Sequence, residues 1–421
     1  MSVRHRAITA AAVVAVAGGV ALLAGLGTGG SSQRRRRALL PSVSSLPKLS
    51  PSARGLSATP TGTALARAPV GPAALPPPSV ERFGAGVQGI FLNSSQYSSR
   101  QISAQLAALH VTGATIARSD ALWEAIEPDP PVDGQHAYHW QFDDQTVATL
   151  ATHGLRWLPI VDYSPGWAAA APSQAHSPPR ASDVDDFAAF AAALARRYGP
   201  AGAFWRALPG LPREPVDTYE IWNEPNLSQF WGPTPNPAGY AELYLRARDA
   251  IKAVDPHARV IVGGLTAPGS FLAAMLAARP DLRSHIDGVA IHPWGPNPAA
   301  VLRHVRSARA EMRRLGLGSL AIYVTAFGWT TRPRGAFSYV PARLRPRYIA
   351  ATISALGHTD CQIAAVVLNT WVTPQRDSRD GTDWFGIEPP TGGPSPAAAA
   401  FTTGIQAAQQ SGPQRNLCTA H

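Results

Sequence analysis

Residues 218–226 read Thr-Tyr-Glu-Ile-Trp-Asn-Glu-Pro-Asn, a short apolar run that ends on polar groups. Its first five residues are rich in β-branched and aromatic side chains, which favours a buried β-strand. Pro225 cannot continue such a strand, because proline has no backbone N–H to donate. The stretch therefore predicts a strand over 218–222 that leaves Asn223 and Glu224 at its carboxyl end.

Seven further apolar runs flank this strand along the chain, and helical patterns lie between them, most clearly over 184–198, 238–254 and 299–315. Eight apolar runs, each followed by a helix, indicate a parallel sheet that is covered on both faces. Eight strands close a (β/α)8 TIM barrel, and the span of about 330 residues fits that fold. The seven other runs are 87–92, 114–118, 156–161, 259–262, 288–291, 321–325 and 363–368.

An open, doubly wound sheet is the alternative arrangement of the same elements. No Gly-rich dinucleotide fingerprint follows the first run, which favours the barrel. The sequence has no visible repeat of 20–50 residues. We therefore interpret residues 81–421 as one α/β domain.

The first 80 residues differ from the rest in composition. Residues 1–30 have a basic start and then an uncharged apolar run, which predicts an export signal or, at about 20 residues, a membrane anchor. Residues 31–80 begin with four arginines and continue rich in Pro, Ser and Ala, as a disordered linker does. We expect an exported protein that is secreted or anchored at the cell envelope. Residues 1–37 are expected to contact membrane lipid or cell-wall polymer, and the alternative is that their charges are solvated.

The charge distribution argues against nucleic-acid binding. The chain carries a formal charge of +10, but residues 1–80 contain 9 Lys or Arg and no Asp or Glu. The remainder has 28 basic and 27 acidic residues, so the predicted barrel is nearly neutral. A neutral body has no electrostatic footprint for a polyphosphate backbone.

Two cysteines, Cys361 and Cys418, lie in the predicted barrel. In an oxidising compartment they could close a loop of about 57 residues, and the loop-entropy model gives such a cross-link about 4 kcal/mol. Two free buried thiols are the alternative. The sequence makes the pair a disulfide candidate.

Glu224 is the candidate catalytic acid. A carboxylic acid at a strand tip beside aromatic side chains is partly desolvated, which favours its neutral form and suits proton donation near neutral pH. An Asn-Glu-Pro triplet alone is a weak signal, because a strand-end glutamate is more often a solvated loop residue. The signal is stronger here because other predicted strand ends carry matching motifs.

These motifs resemble those of retaining glycoside hydrolases of the large (β/α)8 clan, especially families 39 and 5, over residues 81–410. The resemblance implies hydrolysis of O-glycosyl bonds of a polysaccharide or glycoside, with Glu224 as general acid/base and Asn223 as the contact of the sugar 2-hydroxyl. The matching segments, besides 219–226, are Arg118-Ser-Asp with Trp123, Tyr163-Ser-Pro-Gly-Trp167, Ile291-His-Pro-Trp294, Trp371 and Trp384-Phe-Gly-Ile387.

The chain departs from the family pattern at the nucleophile. The resembled proteins end their seventh strand in Thr-Glu-Phe-Gly-Trp, whereas this chain has Thr325-Ala-Phe-Gly-Trp329, which puts Ala326 at the nucleophile position. Retaining hydrolysis needs a second carboxylate about 5 to 5.5 Å from the acid, and a methyl group cannot form the covalent intermediate. Natural loss of the nucleophile and a replacement introduced to trap ligands are both consistent with the alanine.

No other carboxylate is well placed to substitute. Glu220 lies four residues before Glu224, about 13 Å deeper along an extended strand. Asp120, Glu124 and Asp162 follow the second and third strands and are expected beside the pocket, which leaves Asp383, in a loop expected to be mobile, as the remaining candidate.

In the resembled family a second-strand arginine and a sixth-strand histidine border the nucleophile. Here these residues are Arg118 and His292, which are expected to face a methyl group. A buried guanidinium without its anion is costly, by several kcal/mol. We therefore expect an anion-accepting hole at Ala326.

Tryptophans at the predicted strand ends also favour a sugar ligand, since indole faces stack on the C–H faces of pyranose rings. Packing across the end of the barrel is the alternative role. We expect about half of them to face the ligand, above all Trp294 and Trp371, with Trp167 and Trp329 as further candidates.

Two functions follow from these signals. The first is a hydrolase of O-glycosyl bonds whose double displacement is impaired at Ala326, and the second is a non-catalytic carbohydrate-binding pseudoenzyme of the cell envelope. Both have a carbohydrate as partner. Nothing in the sequence calls for a metal or an organic cofactor: His136 and His139 have no further ligand set beside them.

Overall fold

The structure, a computed structural model, describes residues 84–89, 92, 96–373, 377–393, 395–410 and 416–419. Its strands are β1 (Gly84–Gln88), β2 (Ile116–Leu122), β3 (Arg156–Asp162), β4 (Thr218–Ile221), β5 (Arg259–Leu265), β6 (Gly288–Ile291), β7 (Ala321–Phe327) and β8 (Ile363–Leu368). They form a closed parallel barrel in chain order, in which β8 pairs with β1. The (β/α)8 prediction is confirmed. The segments predicted at 1–30 and 31–80 lie outside the described residues.

Helices cover the outside of the barrel. The helical spacing predicted α4, α6 and α8 to within one residue at each end. The starts of α6 and α8 follow the usual capping rules: Asn236 and Asn297 each accept a backbone N–H three residues ahead at 3.0 Å, and proline follows each cap. None of the described helices is both long and apolar enough to span a membrane. The helices are α1 (Ser99–His110), α2 (Trp123–Ile126), α3 (Gln141–Thr152), α4 (Val184–Tyr198), α5 (Ala203–Ala207), α6 (Pro237–Val254), α7 (Gly269–Ala278), α8 (Pro298–Arg314), α9 (Arg345–Gly357) and α10 (Pro396–Gln409).

The first strand differs from the prediction, which placed it over 87–92. The structure begins β1 at Gly84, in a glycine-rich stretch of low strand propensity. Gly86 is required there by packing, because a Cβ on it would lie 2.2 Å from the carbonyl oxygen of Ile116 on β2. The close approach of two backbones explains why this strand has little apolar signal in the sequence.

The apolar residues form two main layers. A small cluster fills the inside of the barrel, and a much larger one lies between the sheet and the helices. Members of the inner cluster include Ile116, Leu158, Ile261, Tyr323 and Val367. Because successive strand residues point to opposite sides, the strands are apolar along nearly their whole length, as the sequence suggested.

Two β-bulges lie near the carboxyl ends of the strands. Between Val262 and Leu265, three steps along β5 match two along β6, and between Val324 and Phe327, three steps along β7 match two along β8. An extra residue of this kind re-aims the neighbouring side chains. The second bulge contains Thr325 and Ala326, so the strand is irregular where the family nucleophile is expected.

Cys361 and Cys418 are joined as a disulfide, which decides between the two alternatives for this pair. The segment around Cys418 is also held by polar contacts. Its backbone N–H and that of Thr419 each donate to the Asp360 carboxylate at 2.7 Å, and Arg313 donates to the Cys418 carbonyl at 2.6 Å. The disulfide and these polar contacts therefore hold residues 416–419 against the segment that precedes β8.

Candidate active site

The end of β4 turns sharply, and this turn positions Glu224. Trp222 and Glu224 both adopt left-handed backbone conformations, with φ of 64° and 44°. Such conformations cost about 1–3 kcal/mol each in residues other than glycine, and they persist where the surroundings enforce them. The neighbouring strand β5 packs closely against this turn, since a Cβ on Gly263 would lie 2.1 Å from the Trp222 carbonyl oxygen.

Glu224 is almost fully buried, with 4% of the residue exposed. Its Oε1 accepts the Thr266 hydroxyl at 3.0 Å and lies 2.7 Å from Nδ1 of His292. Both contacts involve the same oxygen. Within the described part of the chain, no protein hydrogen bond reaches Oε2, which leaves this atom for a ligand.

A chain of hydrogen bonds runs from Glu224 through His292 and Thr325 to Glu220 on β4. His292 Nε2 lies 3.2 Å from the Thr325 hydroxyl, which donates to Glu220 Oε1 at 3.2 Å. Glu220 also accepts the Gly264 N–H at 2.8 Å. Gly264 has to be glycine for this arrangement, since a Cβ there would lie 2.0 Å from His292 Nε2.

These contacts also fix where protons lie. Glu220 accepts from every partner, so the single proton of Thr325 points to it and the Thr325 oxygen accepts from His292 Nε2. The remaining contact, between His292 Nδ1 and Glu224 Oε1, then contains one proton shared by the two residues. Since the shared proton lies between Nδ1 and Oε1, Oε2 is left as a hydrogen-bond acceptor.

Arg118 was expected to face Ala326 without an anionic partner, and this expectation was wrong. Its guanidinium donates from Nε and Nη2 to the two oxygens of Glu220, both at 2.7 Å, and both residues are buried. Burial is the largest single influence and would lower the pKa of Arg118, but the charge and hydrogen bonds of Glu220, together with the charges of Asp120 and Asp162, raise it. The pair leaves no unmatched cation to create an anion-accepting hole, and Arg118 acts through its neighbours rather than on a ligand.

Asn223 is one of those neighbours. Arg118 Nη2 donates to its Oδ1 at 3.1 Å, which fixes the orientation of the amide and turns the NH2 group away from the guanidinium. Asn223 is partly exposed, so its amide is oriented for a ligand at the mouth of the barrel.

Ala326 lies on the opposite wall from Glu224, one residue beyond Thr325. It is buried in a small apolar cluster with Trp294 and Phe385. The rings of Trp294 and Phe385 are 5.9 Å apart, and the His292 ring is 6.3 Å from Trp294. The nucleophile position is therefore an apolar surface beside the histidine that contacts Glu224.

Trp329 and Trp371 are corrections to the predicted ligand set. Each is about 1% exposed, and each indole N–H is used internally, by the Gly295 carbonyl and the Gln105 side chain at 2.8 Å. A ring that stacks on a sugar needs an open face, so both are packing residues. Trp294, at 9%, and the half-buried Trp167 keep some exposed surface.

The other carboxylates are not free nucleophiles. Both oxygens of Glu220 are engaged by Arg118. Asp383 is buried and accepts the Asp377 N–H at 2.8 Å, so it is fixed within its loop, against the expectation that this loop is mobile. Burial raises the pKa of Asp120 and of Glu124. Burial raises the pKa of Asp162 even further, with the neighbouring charge of Asp120 as the next cause.

Asp162 gives a prediction for stability against pH. Its carboxyl is fully buried, and neither oxygen has a hydrogen-bond partner among the described residues. With the pKa raised in the folded state, folded protein keeps a proton that unfolded protein releases above about pH 4, so stability falls as pH rises. The stability difference between Asp162→Asn and the wild type should therefore grow in favour of the variant by about 1.4 kcal/mol per pH unit, from about pH 5 up to the raised pKa of the folded state.

Urea unfolding at several pH values measures this difference. The exposed Asp129 provides a matched control, and Asp129→Asn should follow the wild-type pH curve. Parallel curves for Asp162→Asn and the wild type would show that Asp162 is ionised in the folded protein.

Sequence reasoning missed three contributors to the site, Thr266, Thr325 and Gly264. The signal for Gly264 was the Gly-Gly pair at the end of β5, and Thr325 precedes Ala326 in the motif already singled out. Thr266 had no local signal. It reaches Glu224 because its backbone carbonyl accepts the Asn226 amide at 2.5 Å, a contact between two different strand-end loops.

Comparison with known proteins agrees with this geometry at the level of the fold. No protein-family model matches the sequence. A curated β-xylosidase of Geobacillus stearothermophilus is 27% identical over 161 residues. The match spans 33% of this chain and only 31%, about a third, of that relative's length.

Solved structures are similar over most of the chain. A family 39 β-xylosidase from Caulobacter crescentus has a TM-score of 0.58 at 21% identity, covering 77% of this chain and 71% of that one. A family 5 protein from Streptomyces cattleya has a TM-score of 0.58 at 14% identity, covering 79% and 82%. Fungal β-1,4-galactanases have a TM-score of 0.52 at 18% identity, covering 76% and 98%.

The chain is therefore a (β/α)8 barrel of the type found in glycoside hydrolases. Its structural neighbours include proteins of families 39 and 5, so the resemblance recognised from the strand-end motifs is confirmed for the fold.

Proposed function

We propose that this chain is an exported glycoside-hydrolase-like protein that acts on O-glycosyl bonds of a polysaccharide or glycoside, with Glu224 as general acid/base. The observation that carries the proposal is the state of Glu224. It is buried at the carboxyl end of the barrel, its Oε1 is held by His292 and Thr266, and its Oε2 has no protein partner among the described residues.

In this proposal Oε2 faces the glycosidic oxygen. As the general acid, Glu224 carries a proton on Oε2 and donates it to that oxygen as the glycosidic bond breaks. Asn223, oriented by Arg118, binds the 2-hydroxyl of the sugar. Trp294 supports the ring on the side of Ala326.

Double displacement is impaired because Ala326 supplies no nucleophile. A retaining reaction then has only binding and acid catalysis to draw on, and turnover falls by orders of magnitude. The alternative function is a non-catalytic carbohydrate-binding pseudoenzyme of the cell envelope. The pairing of Arg118 with Glu220 favours this alternative, because it leaves Arg118 unavailable to hold an external anion in place of the missing carboxylate.

Export is part of the proposal. Residues 1–30 have the pattern of an export segment, and a disulfide such as Cys361–Cys418 is typical of oxidising compartments. The N-terminal sequence of the mature protein, recovered after expression with its own leader, tests export and decides between a cleaved signal and an anchor.

The acid/base role is tested with Glu224→Gln on aryl glycosides of two leaving-group strengths. With 4-nitrophenyl glycosides of xylose, glucose, galactose and mannose, we expect residual turnover that Glu224→Gln lowers by about 10²–10⁴-fold. With 2,4-dinitrophenyl glycosides the loss should be much smaller, since that leaving group needs little protonation. Glu124→Gln is the matched control and should change neither rate.

Two outcomes would contradict the proposed hydrolase function. Equal loss on both leaving groups would show that Glu224 does not protonate the leaving group. Binding of oligosaccharides without cleavage of any substrate would establish the pseudoenzyme.

A further inference from the structure

A cavity with a volume of about 540 Å³ is lined by residues other than those that contact Glu224. It lies between the segment that follows β7 and the segment before and around Trp384. Arg332, Arg334 and Tyr339 line one wall, and Ser378 and Trp384 line the other. The size falls in the range of cavities that bind small ligands, about 300–1,000 Å³. We refer to it as the arginine cavity.

The lining of the arginine cavity is positively charged. Arg332 and Arg334 are both exposed, and no acidic residue is among the lining residues. The acidic residues of the adjoining segment are engaged elsewhere. Asp377 is paired with Arg379, Asp380 accepts the Thr382 N–H and hydroxyl at 2.8 Å, and Asp383 is buried.

Trp384 provides a fixed flat surface in this cavity. Its indole N–H donates to the Asp377 carbonyl at 2.8 Å, and its own carbonyl accepts Arg345 at 2.9 Å. The guanidinium of Arg332 lies 5.0 Å from the centre of the ring, at cation–π distance. The indole therefore holds this guanidinium in place, and the guanidinium supplies N–H donors for an anionic group.

The wall that contains the arginines is held in shape by its own backbone. Thr330 N–H donates to the Ser338 carbonyl at 3.2 Å, and Val340 N–H donates to the Thr330 carbonyl at 2.9 Å, so the two ends of the loop are joined. The Thr330 hydroxyl contacts the Gly381 carbonyl at 2.6 Å, which ties this loop to the wall that contains Trp384. The cavity is therefore pre-formed.

The same loop reaches the candidate active site. Phe337 lies between Arg334 and Tyr339 in the sequence, and its ring packs against Trp294 at 5.5 Å. Trp294 in turn contacts Ala326. One face of the loop therefore borders the candidate active site while the other lines the arginine cavity.

We propose that the arginine cavity binds an anionic sugar, one with a carboxylate or sulfate group, so that the glycan recognised by this chain is acidic. Arg332, held over the ring of Trp384, and Arg334 bind the anionic group. This inference rests on the proposed carbohydrate function and adds to it the charge of the ligand.

Calorimetric titration of the full chain tests the proposal without relying on catalysis. The probes are tetragalacturonate, its carboxyl-reduced neutral counterpart, and a sulfated galactan tetrasaccharide, so the arms separate carboxylate from sulfate. At low salt we expect at least one acidic probe to bind about tenfold or more tightly than the neutral probe. Added NaCl should weaken this preference, because the arginines are exposed.

Three variants locate the binding site. The double variant Arg332→Gln/Arg334→Gln should abolish the preference for the acidic probe, and Trp384→Ala should weaken binding of that probe. Arg343→Gln removes an exposed arginine of the same region that does not line the cavity, and it should bind as the wild type does. Thermal melting of each variant shows whether the fold is retained.

Equal affinity for acidic and neutral probes would overturn the proposal, and so would an unchanged preference in the double arginine variant. Failure of the proposed function is distinguishable from failure of this inference. If Glu224→Gln alters no activity while the acidic probe still binds through Arg332 and Arg334, the cavity stands and the assignment of Glu224 fails.

Discussion

Ala326→Glu should raise turnover on 4-nitrophenyl glycosides by about 10³-fold or more. The new carboxylate lies on the β7 wall opposite Glu224, where a retaining mechanism needs its nucleophile. It enters a site in which Arg118 is already neutralised by Glu220, so its nearest polar partners are His292 and Thr325.

Initial rates and product stereochemistry, followed by NMR, measure the effect. The product sugar should retain the anomeric configuration of the substrate, as a double displacement requires. Adding Glu224→Gln to Ala326→Glu should remove most of the gain on these substrates. Ala299→Glu, at an exposed position of α8, adds the same charge outside the site and should leave the rate unchanged.

An unchanged rate for Ala326→Glu would contradict the assignment of position 326 and with it the proposed site. A gain with inverted product would show that the carboxylate activates water instead of attacking the sugar.

Arg118→Met should destabilise the protein by about 3–5 kcal/mol, the second large effect expected. Arg118 and Glu220 are about 2% or less exposed, and removing the cation leaves Glu220 as a buried charge with only the Gly264 N–H and the Thr325 hydroxyl as donors. Urea unfolding measures the loss. Because Arg118 also orients Asn223, we expect glycan binding to weaken as well.

A matched control is available in Arg156→Met. Arg156 makes an ion pair with Asp217 at 2.5 Å, but both side chains are about one-third exposed, so the loss should stay within about 1 kcal/mol. Adding Glu220→Gln to Arg118→Met should recover part of the stability by removing the orphaned charge. Similar losses for Arg118→Met and Arg156→Met would mean that water reaches the buried pair.

Much of the fold could be predicted from local patterns. Strands β3, β6 and β8 were predicted to within one residue at each end, because each is an apolar run that ends directly at a polar residue. The first strand was misplaced because its residues make room for β2 instead of burying large side chains, as Gly86 does against Ile116. Periodicity detects buried side chains, and it has no signal for a close approach of backbones.

The membership of the site was partly predictable for a related reason. Parallel strands bring their carboxyl ends to one face, so Glu224, His292 and Ala326 could be placed together from their positions after strands. The exposure of the individual tryptophan rings could not be predicted from their positions in the sequence. Trp371 was predicted to face a ligand, but its indole N–H is taken by Gln105, which lies 266 residues earlier in the chain.

The sequence by itself determined the number of strands, the face on which the site lies and the alanine at the nucleophile position, because each depends on residue type along one stretch of chain. Only the tertiary structure decided that Arg118 is neutralised by Glu220 and that His292 contacts Glu224. These pairs join residues 102 and 68 positions apart. Their partners depend on strand register, on the bulges in β5 and β7, and on the room left by Gly264, none of which is encoded within a single segment.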